Sequence, residues 1–268
     1  MGNIKNEEKI KSLTPQEFRL LIRKGEWKER TTNILKNYAQ FNLVVVPKEY
    51  AFDFLLFCLR NFQACPVVDI TDVGNTKPTL ISSGADIRTD LPKYRVFKNG
   101  EIVEEPRDII KYWNKDLVAF LLGTAMGVLE ILKNMHISWR NFGGYKTSIP
   151  CSSAGRFKSH LVVTAIAFKN SHDAIRAIQV SSRFPAMHGA PMHIGKPESI
   201  GIKDLKKPDT FIPQSEMEPL HPEEILIYWG CGVTPQVAAL ESKVPFIITH
   251  SPGHFLVSDK LVEEFSII

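Results

Sequence analysis

Two segments of the chain repeat one design, and this repetition limits the folds that the chain can adopt. The apolar run Leu117–Gly123 leads into TAMGVLEILKNM, and later ILIYWGCGV leads into TPQVAALES and then PFIITH. Each segment combines an apolar strand, a glycine-containing turn and the start of a helix. This order predicts an α/β fold whose turns lie at the carboxyl ends of parallel strands, where helix N-termini attract anions. The sequence therefore predicts a protein that binds a small acid.

The stretch between these two segments predicts a second, smaller folding unit. YKTSIPC and HLVVTAIAF have the pattern of strands, and SHDAIRAIQVSSRF has that of a helix. The charged, proline-rich residues 201–224 are interpreted as a linker that returns the chain to the main sheet. We expect a two-domain α/β protein: residues 1–140 and 206–268 form a main domain with a mixed sheet and flanking helices, and residues 141–205 form an inserted α+β subdomain.

Short-range signals predict where several elements begin. Thr14 opens a capping box, and Ser171 and Thr234 are predicted to cap two later helices. The dipeptide Asn99-Gly100 lies between two strand-like runs and predicts a hairpin with a type I′ turn. The segment YAFDFLLFCLRNF has the apolar density of a buried helix.

Composition argues against several classes of partner. The chain has 33 Lys and Arg against 29 Asp and Glu, and these cations are not interleaved with aromatic residues as in a nucleic-acid-binding surface. Its longest apolar run, residues 117–132, is too short and too interrupted to span a bilayer. The four cysteines form no C-x-x-C pair, and residues 1–12 lack the apolar core of a secretory signal. We expect a reduced, cytoplasmic protein without nucleic-acid or membrane partners; homo-oligomers are compatible with this composition.

The stretch richest in chemically active side chains is SRFPAMHGAPMHIG, residues 182–195. It has neither helical nor strand periodicity, which is typical of a shaped loop that serves chemistry. His188 and His193 are candidate acid–base groups because imidazole titrates near neutral pH, and hydrogen-bonded packing is the alternative. Arg183 is a candidate clamp for a carboxylate. Arg88 is a second candidate, for which an ion pair with Asp90 is the alternative.

Six motifs, taken in order, resemble the D-glutamate cyclase family, whose members are described as hydro-lyases. The motifs are RTDLPKYRVF, YKTSIPC, AGRF, RFPAMHGAPMHIG, WGCGVTPQ and THSPGH. The resemblance extends from about Thr14 to Asp259 of this chain. The same motifs are similar to the N-terminal region of mitochondrial D-glutamate cyclase. It implies a two-domain α/β fold and the closure of D-glutamate to 5-oxo-D-proline with loss of water.

The chain departs from the family pattern at a few positions. Thr124 stands where the family has a cysteine, and Leu129 stands where it has the first residue of an acidic pair. The family motif Tyr-Arg-Thr-Asn is Tyr-Lys-Thr-Ser here, beginning at Tyr145. These differences are compatible with a paralogue that has an altered substrate or little activity.

Lactam formation requires a carboxylate clamp, a base for the amine, donors for an oxyanion, and an acid for the departing hydroxyl. We assign the acid and base to His188 and His193, and the clamp to Arg183 or Arg88. Cys231 is either a nucleophile that forms a thioester or an inert packing thiol. The remaining candidates are expected to contact the substrate: Tyr145, Gly232, Thr234, Gln236, His250 and His254.

Three alternatives remain open at this level. The histidine pairs His188/His193 and His250/His254 are compatible with a divalent metal, although Ser-Pro-Gly between the second pair prevents a helix from aligning them. A noncatalytic module that binds carboxylic acids would keep the clamp and the helix N-termini. A hydro-lyase for a different hydroxy acid would keep the whole site.

Overall fold

The computed structural model describes residue 10 and residues 12–32, 34–210 and 218–267, and the chain divides into two compact units. The first unit contains Met1–Phe52, Val67–Gly127 and Lys243–Glu264. The second contains Asp53–Pro66, Val128–Ser242 and Phe265–Ile268. The α/β fold class is therefore confirmed, and the predicted domain limits stay predictions.

Seven strands form the sheet of the first unit. Its central strand, β1, is hydrogen-bonded along one edge to β5 and along the other to β10 and β11, and the order is β2-β5-β1-β10-β3-β4. β5 is buried along its whole length, as its apolar sequence predicts. The strands are β1 (Tyr38–Pro47), β2 (Val67–Ile70), β3 (Tyr94–Lys98), β4 (Glu101–Glu104), β5 (Leu117–Gly123), β10 (Phe246–His250) and β11 (Leu256–Leu261).

Four strands form the sheet of the second unit, in the order β6-β7-β9-β8. Phe168, Ile227 and Trp229 of this sheet pack against Ala174 and Ala177 of a helix, which gives the unit its own core. The strands are β6 (Trp139–Pro150), β7 (His160–Phe168), β8 (His193–Ile194) and β9 (Ile225–Gly230).

Five α-helices accompany the two sheets in the described residues: α1 (Pro15–Arg23), α2 (Lys48–Arg60), α3 (Met126–Asn134), α4 (Ser171–Ser181) and α5 (Thr234–Glu241). The capping box at Thr14 is confirmed. The other two predicted caps are each displaced by one residue. Asn170 caps α4 in place of Ser171, and Val233 precedes α5, whose first residue is Thr234. Thr234 does not cap because its hydroxyl bonds the backbone of Val162.

The strand directions differ from the prediction. Every pairing among the described strands is antiparallel, so the expectation of parallel strands is wrong. β9 also pairs with β7 of the second unit, so residues 201–224 do not return the chain to the sheet of the first unit. The hairpin at Asn99-Gly100 is confirmed: it joins β3 and β4, and both residues have positive φ.

A buried ion-pair network connects α1 to the loop before β3. The fully buried Asp90 carboxylate accepts two hydrogen bonds of 2.7 Å from the Arg23 guanidinium. The Nε atom of the buried Arg19 lies 3.8 Å from the same carboxylate, and the backbone N–H of Asp86 donates to it at 2.9 Å. Because the charges are buried, each needs its partners, and the network determines the path of the loop.

None of the described helices is both long enough and apolar enough to cross a membrane.

Candidate functional site

The predicted histidine loop lies in the second unit and is folded by its own backbone hydrogen bonds. A 3-10 turn, Pro185–Met187, lies between α4 and β8. The carbonyl oxygen of Phe184 accepts from the N–H of Met187 at 2.8 Å and from that of Gly189 at 3.0 Å. His188 adopts the left-handed conformation with φ of 78°, which histidine tolerates better than most residues. The turn directs the His188 side chain inward, where only 2% of the residue is exposed.

The His188 ring has a defined protonation state. Its Nδ1 lies 2.8 Å from the carbonyl oxygen of Gln63. Since a carbonyl only accepts, Nδ1 carries the proton and Nε2 carries the lone pair. Burial lowers the pKa of His188 to about 4, and the bond to Gln63 offsets this only in part. At neutral pH the ring is therefore uncharged and can accept a proton at Nε2.

The turn that follows α2 positions the Gln63 carbonyl. Asn61 binds both backbone groups of Ser152: its Nδ2 donates to the carbonyl oxygen at 2.8 Å, and its Oδ1 accepts from the N–H at 2.8 Å. The end of β9 approaches the same turn so closely that a Cβ on Gly230 would lie 2.6 Å from the Gln63 oxygen. The side-chain amide of Gln63 also contacts the histidine loop, because its Nε2 donates to the carbonyl oxygen of Ala190 at 3.3 Å. The loop, the turn and the end of β9 thus form one packed assembly.

The second histidine of the loop, His193, lies on β8 opposite Tyr228 of β9. Its ring is half-buried, stacks on the Tyr228 ring at 5.4 Å and places Nε2 3.2 Å from the carbonyl oxygen of Lys196. Since a carbonyl only accepts, Nε2 of His193 carries a proton. Backbone carbonyls therefore fix the orientation of both histidines.

Arg183 and Tyr145 have opposite environments in the second unit. Arg183 follows α4, is exposed, and has no side-chain partner among the described residues. Tyr145 is buried, and its hydroxyl lies 2.6 Å from the carbonyl oxygens of both Phe142 and Leu205. Burial raises the pKa of Tyr145. Arg183 is available to an anion, whereas the Tyr145 hydroxyl is engaged by the backbone.

The turn between β9 and α5 contains Cys231 and Gly232, and Thr234 and Gln236 lie in the first turn of α5. The buried Cys231 anchors the turn through its backbone N–H, which donates to the carbonyl oxygen of Val162 at 3.0 Å. Burial raises the pKa of the Cys231 thiol, so the thiol stays protonated at neutral pH. The buried Cys65 thiol has a pKa well above the usual value for the same reason, and it is hydrogen-bonded to Cys58. These environments suit packing thiols better than a thiolate nucleophile.

The other candidates belong to the first unit. The guanidinium of Arg88 binds both carboxylate oxygens of Asp86, with Nε–Oδ1 3.0 Å and Nη2–Oδ2 2.7 Å. The alternative of an ion pair between Arg88 and Asp90 is wrong, because Asp90 binds Arg23. The Asp86 carboxylate already neutralises the charge that Arg88 would offer to a substrate.

His250 and His254 flank the turn after β10. His250 is buried, accepts a hydrogen bond at Nδ1 from the backbone N–H of Leu43 at 3.1 Å, and stacks on Phe255 at 5.1 Å. Burial lowers its pKa to about 4. His254 is half-buried with Nδ1 3.0 Å from the carbonyl oxygen of Pro252, and burial lowers its pKa as well. The two rings are therefore in different environments, and no helix aligns them.

No metal centre is evident in the described part of either unit: no three His, Cys, Asp or Glu side chains are arranged there to hold an ion. The metal hypothesis has no support from the side-chain geometry of those residues.

Sequence reasoning missed the turn of Asn61 and Gln63. The available signal was the change from the apolar helix to the polar, chain-reversing segment RNFQACP. Nothing in that segment indicated its partner, because the contact joins residues 125 positions apart in the chain.

Taken together, the two antiparallel sheets and the histidine loop define an α/β protein with a buried, uncharged histidine held by a backbone carbonyl. A profile described as D-glutamate cyclase matches residues 118–259, which include the histidine loop, the turn before α5 and His250. A protein from Geobacillus kaustophilus, described as a putative hydro-lyase, is 46% identical over 262 residues, covering 96% of this chain and 98% of the relative. A protein from Bacillus subtilis with the same description is 44% identical over 262 residues, covering 96% of this chain and all of the relative.

The chain belongs to the D-glutamate cyclase family. The family resemblance of the six motifs is thereby confirmed, and the similarity to these relatives extends over nearly the whole chain.

Proposed function

We propose that the protein is a hydro-lyase that closes D-glutamate to 5-oxo-D-proline with loss of water. Family membership supports the reaction class, since the relatives are described as hydro-lyases. The observation that supports the proposal for this chain is the buried, uncharged His188. This residue lies within the segment that matches the family profile, and its ring is held by the carbonyl oxygen of Gln63. A fixed imidazole with a lone pair is what a general base requires.

The reaction conserves charge and atoms. The α-ammonium of glutamate loses a proton, its nitrogen attacks the δ-carbon, and the C–N bond of the lactam forms. The C–O bond to one carboxyl oxygen breaks, and that oxygen leaves as water after it accepts two protons from the attacking nitrogen. No oxidant or second substrate is needed. The protein must accept a proton, return it to the departing oxygen, and stabilise the tetrahedral oxyanion.

His188 is assigned the role of base through Nε2. Burial gives His188 its low pKa, and a dicarboxylate beside the ring would raise the pKa because a neighbouring negative charge favours imidazolium. His193, as an imidazolium whose Nε2 donates to the carbonyl oxygen of Lys196, is assigned the acid that protonates the departing oxygen from Nδ1. The proton that His188 takes from the amine then passes through solvent to His193 and restores both rings. Arg183 is exposed and has no described partner, and it is assigned the α-carboxylate. The backbone of the turn before α5 is assigned the oxyanion.

The test compares purified wild-type protein with His188→Asn on D-glutamate and L-glutamate, following 5-oxoproline by chiral chromatography. Asparagine tolerates the left-handed backbone, and its Nδ2 can replace Nδ1 as donor to Gln63, but it has no equivalent of Nε2. We expect stereospecific 5-oxo-D-proline from the wild type and a loss of about 10²-fold or more in kcat from the variant. His172→Asn, at an exposed histidine of α4, is the matched control and should retain activity.

A carboxylic-acid-binding paralogue is the second candidate, and one observation favours it. The Thr124 hydroxyl, at the position where the family has a thiol, donates to the carbonyl oxygen of Gln40 at 3.0 Å and is engaged in structure. Binding of D-glutamate without product, with equal affinity for wild type and His188→Asn, would refute the cyclase proposal in favour of a binder. If the wild type converts another acid and His188→Asn does not, the assignment of His188 as the base stands and the assignment of D-glutamate as the substrate is wrong.

A further inference from the structure

Helix α2 is apolar on both of its faces, but only one face is covered. Phe54, Phe57 and Cys58 face inward and are completely buried. On the opposite face Phe52 is 73% exposed and Leu59 is 56% exposed. The sequence predicted a buried helix here, and a helix that is apolar all round is normally buried on all sides. The exposed face is therefore as apolar as a buried helix face, but no described residue of the chain packs over Phe52 and Leu59 to bury them.

The exposed side chains form a continuous stripe. Phe52, Leu56 and Leu59 follow the spacing of i, i+4 and i+7, which places them on one side of an α-helix. Phe52 and Leu59 are exposed, whereas Leu56 between them and Leu55 beside them are half-buried. Phe62, 37% exposed in the turn that follows α2, extends the stripe. Contiguous exposed apolar patches of this kind mark interaction sites in proteins.

The charges at the two ends of the stripe indicate what covers it. Glu49 lies in the first turn of α2, and Arg60 is its last residue. They are separated by eleven positions, about three turns, and so lie on the same flank of the stripe, within roughly 20° of each other around the helix axis. Neither has an ion-pair partner among the described residues, although Arg60 donates to the carbonyl oxygen of Ser153. Lys48, next to Glu49, is paired with Asp116. The helix thus carries the acidic Glu49 near one end, an apolar middle and the basic Arg60 at the other end along one side.

Such a pattern is complementary to itself when reversed. If two copies of α2 pack antiparallel about a two-fold axis near Leu55 and Leu56, the Phe52 of one copy faces the Leu59 of the other. Residues on the same flank then meet across the axis. Glu49 lies about two residues, roughly 3 Å along the helix axis, from the level of Arg60 of the second copy, which the long arginine side chain can span at both ends. Isologous two-fold contact is also the commonest form of homo-oligomer.

We propose that the exposed face of α2 is a homodimer interface, in which two copies of the chain pack this helix antiparallel with reciprocal Glu49–Arg60 pairs. Burial of the apolar stripe provides the free energy of association. The charges at the two ends determine the relative direction of the helices, as charged flanks do in other helix pairs. The proposal does not depend on the reaction assigned to the protein.

The test is sedimentation equilibrium of the full chain over a range of protein concentrations. We expect wild-type protein to associate to a dimer, and Leu59→Glu to raise the dissociation constant at least about tenfold, because it places a charge in the apolar centre. Ile175→Glu is the matched control: Ile175 is an equally exposed apolar residue, 55%, on α4, and its replacement should leave the dissociation constant unchanged. Circular dichroism verifies that each variant is folded.

Charge reversal tests the direction of packing. Glu49→Arg and Arg60→Glu should each weaken the dimer, and the double variant should restore it. A wild-type chain that stays monomeric at all concentrations, or a dimer that is insensitive to Leu59→Glu, would overturn the interface. Failure of the double variant to recover the affinity lost in the single variants would overturn the antiparallel pairing.

Discussion

The protonation of His188 predicts how the stability of the protein depends on pH. The ring is buried with a pKa of about 4, and an unfolded histidine titrates at about 6.5. Because the folded pKa is the lower one, the unfolded chain binds the proton first. The stabilising contribution of the uncharged ring is complete above pH 6.5 and decreases as the pH falls toward 4. From these two pKa values, the loss relative to pH 7.5 is about 2 kcal/mol at pH 5.

The assay is urea unfolding, followed by circular dichroism, at pH 7.5 and pH 5.0 for wild type and for His188→Asn. Other groups titrate in both proteins, including the buried His250, so they cancel in the comparison. The free energy of unfolding of the wild type should decrease by about 2 kcal/mol more than that of the variant between the two pH values. His172→Asn should follow the wild type, since that histidine is exposed.

An equal pH-dependent decrease in wild type and His188→Asn would refute the reasoning. It would mean that the ring is solvated or charged in the folded protein, and the argument for an uncharged base would fail with it. A smaller difference at pH 5 would mean that the folded pKa of His188 lies closer to 6.5, since the folded chain then also takes up the proton in this range.

Three further predictions concern packing in each unit. Gly230→Ala should lower the free energy of unfolding by about 1–3 kcal/mol in urea unfolding, because the new Cβ would lie 2.6 Å from the Gln63 oxygen; an unchanged midpoint would contradict that close approach. Asp90→Asn should cost about 1.5–3 kcal/mol by the same measurement, because it removes the buried carboxylate charge to which Arg23 donates two hydrogen bonds; a cost below about 0.5 kcal/mol would mean that the pair is solvated. The buried thiol of Cys231 should resist a thiol-specific reagent at pH 7.5 until the protein is unfolded, and rapid labelling of the folded protein at this cysteine would restore it as a nucleophile.

Local features of the fold could be predicted from the sequence, because they depend on neighbouring residues. The strand, turn and helix at Leu117–Gly123 and α3, and the capping box at Thr14, lie where the pattern places them. Strand direction could not be predicted, because an apolar run next to a helix start does not specify its hydrogen-bonding partner. β5 runs antiparallel to β1 and β2, although a helix follows it as in a parallel α/β unit.

The site shows the same division between local and distant information. Residue types in the loop of residues 182–195 identified the histidines, but their chemistry depends on contacts that sequence spacing does not reveal. The Gln63 carbonyl sets the tautomer of His188, and burial moves its pKa away from the neutral value on which the prediction relied. Asp86, two positions before Arg88, neutralises a cation that the sequence offered as a clamp.

The two most deeply buried histidines illustrate why the backbone partner matters more than the residue type. His188 and His250 are both buried and both have a pKa of about 4. At His188 the Nδ1 atom donates to a carbonyl, so Nε2 is a proton acceptor. At His250 the Nδ1 atom lies 3.1 Å from the backbone nitrogen of Leu43 and 3.4 Å from its carbonyl oxygen, and the shorter contact makes Nδ1 an acceptor and places the proton on Nε2. The same burial therefore leaves opposite nitrogen atoms of the two rings as proton acceptors, because a different backbone group lies beside each Nδ1.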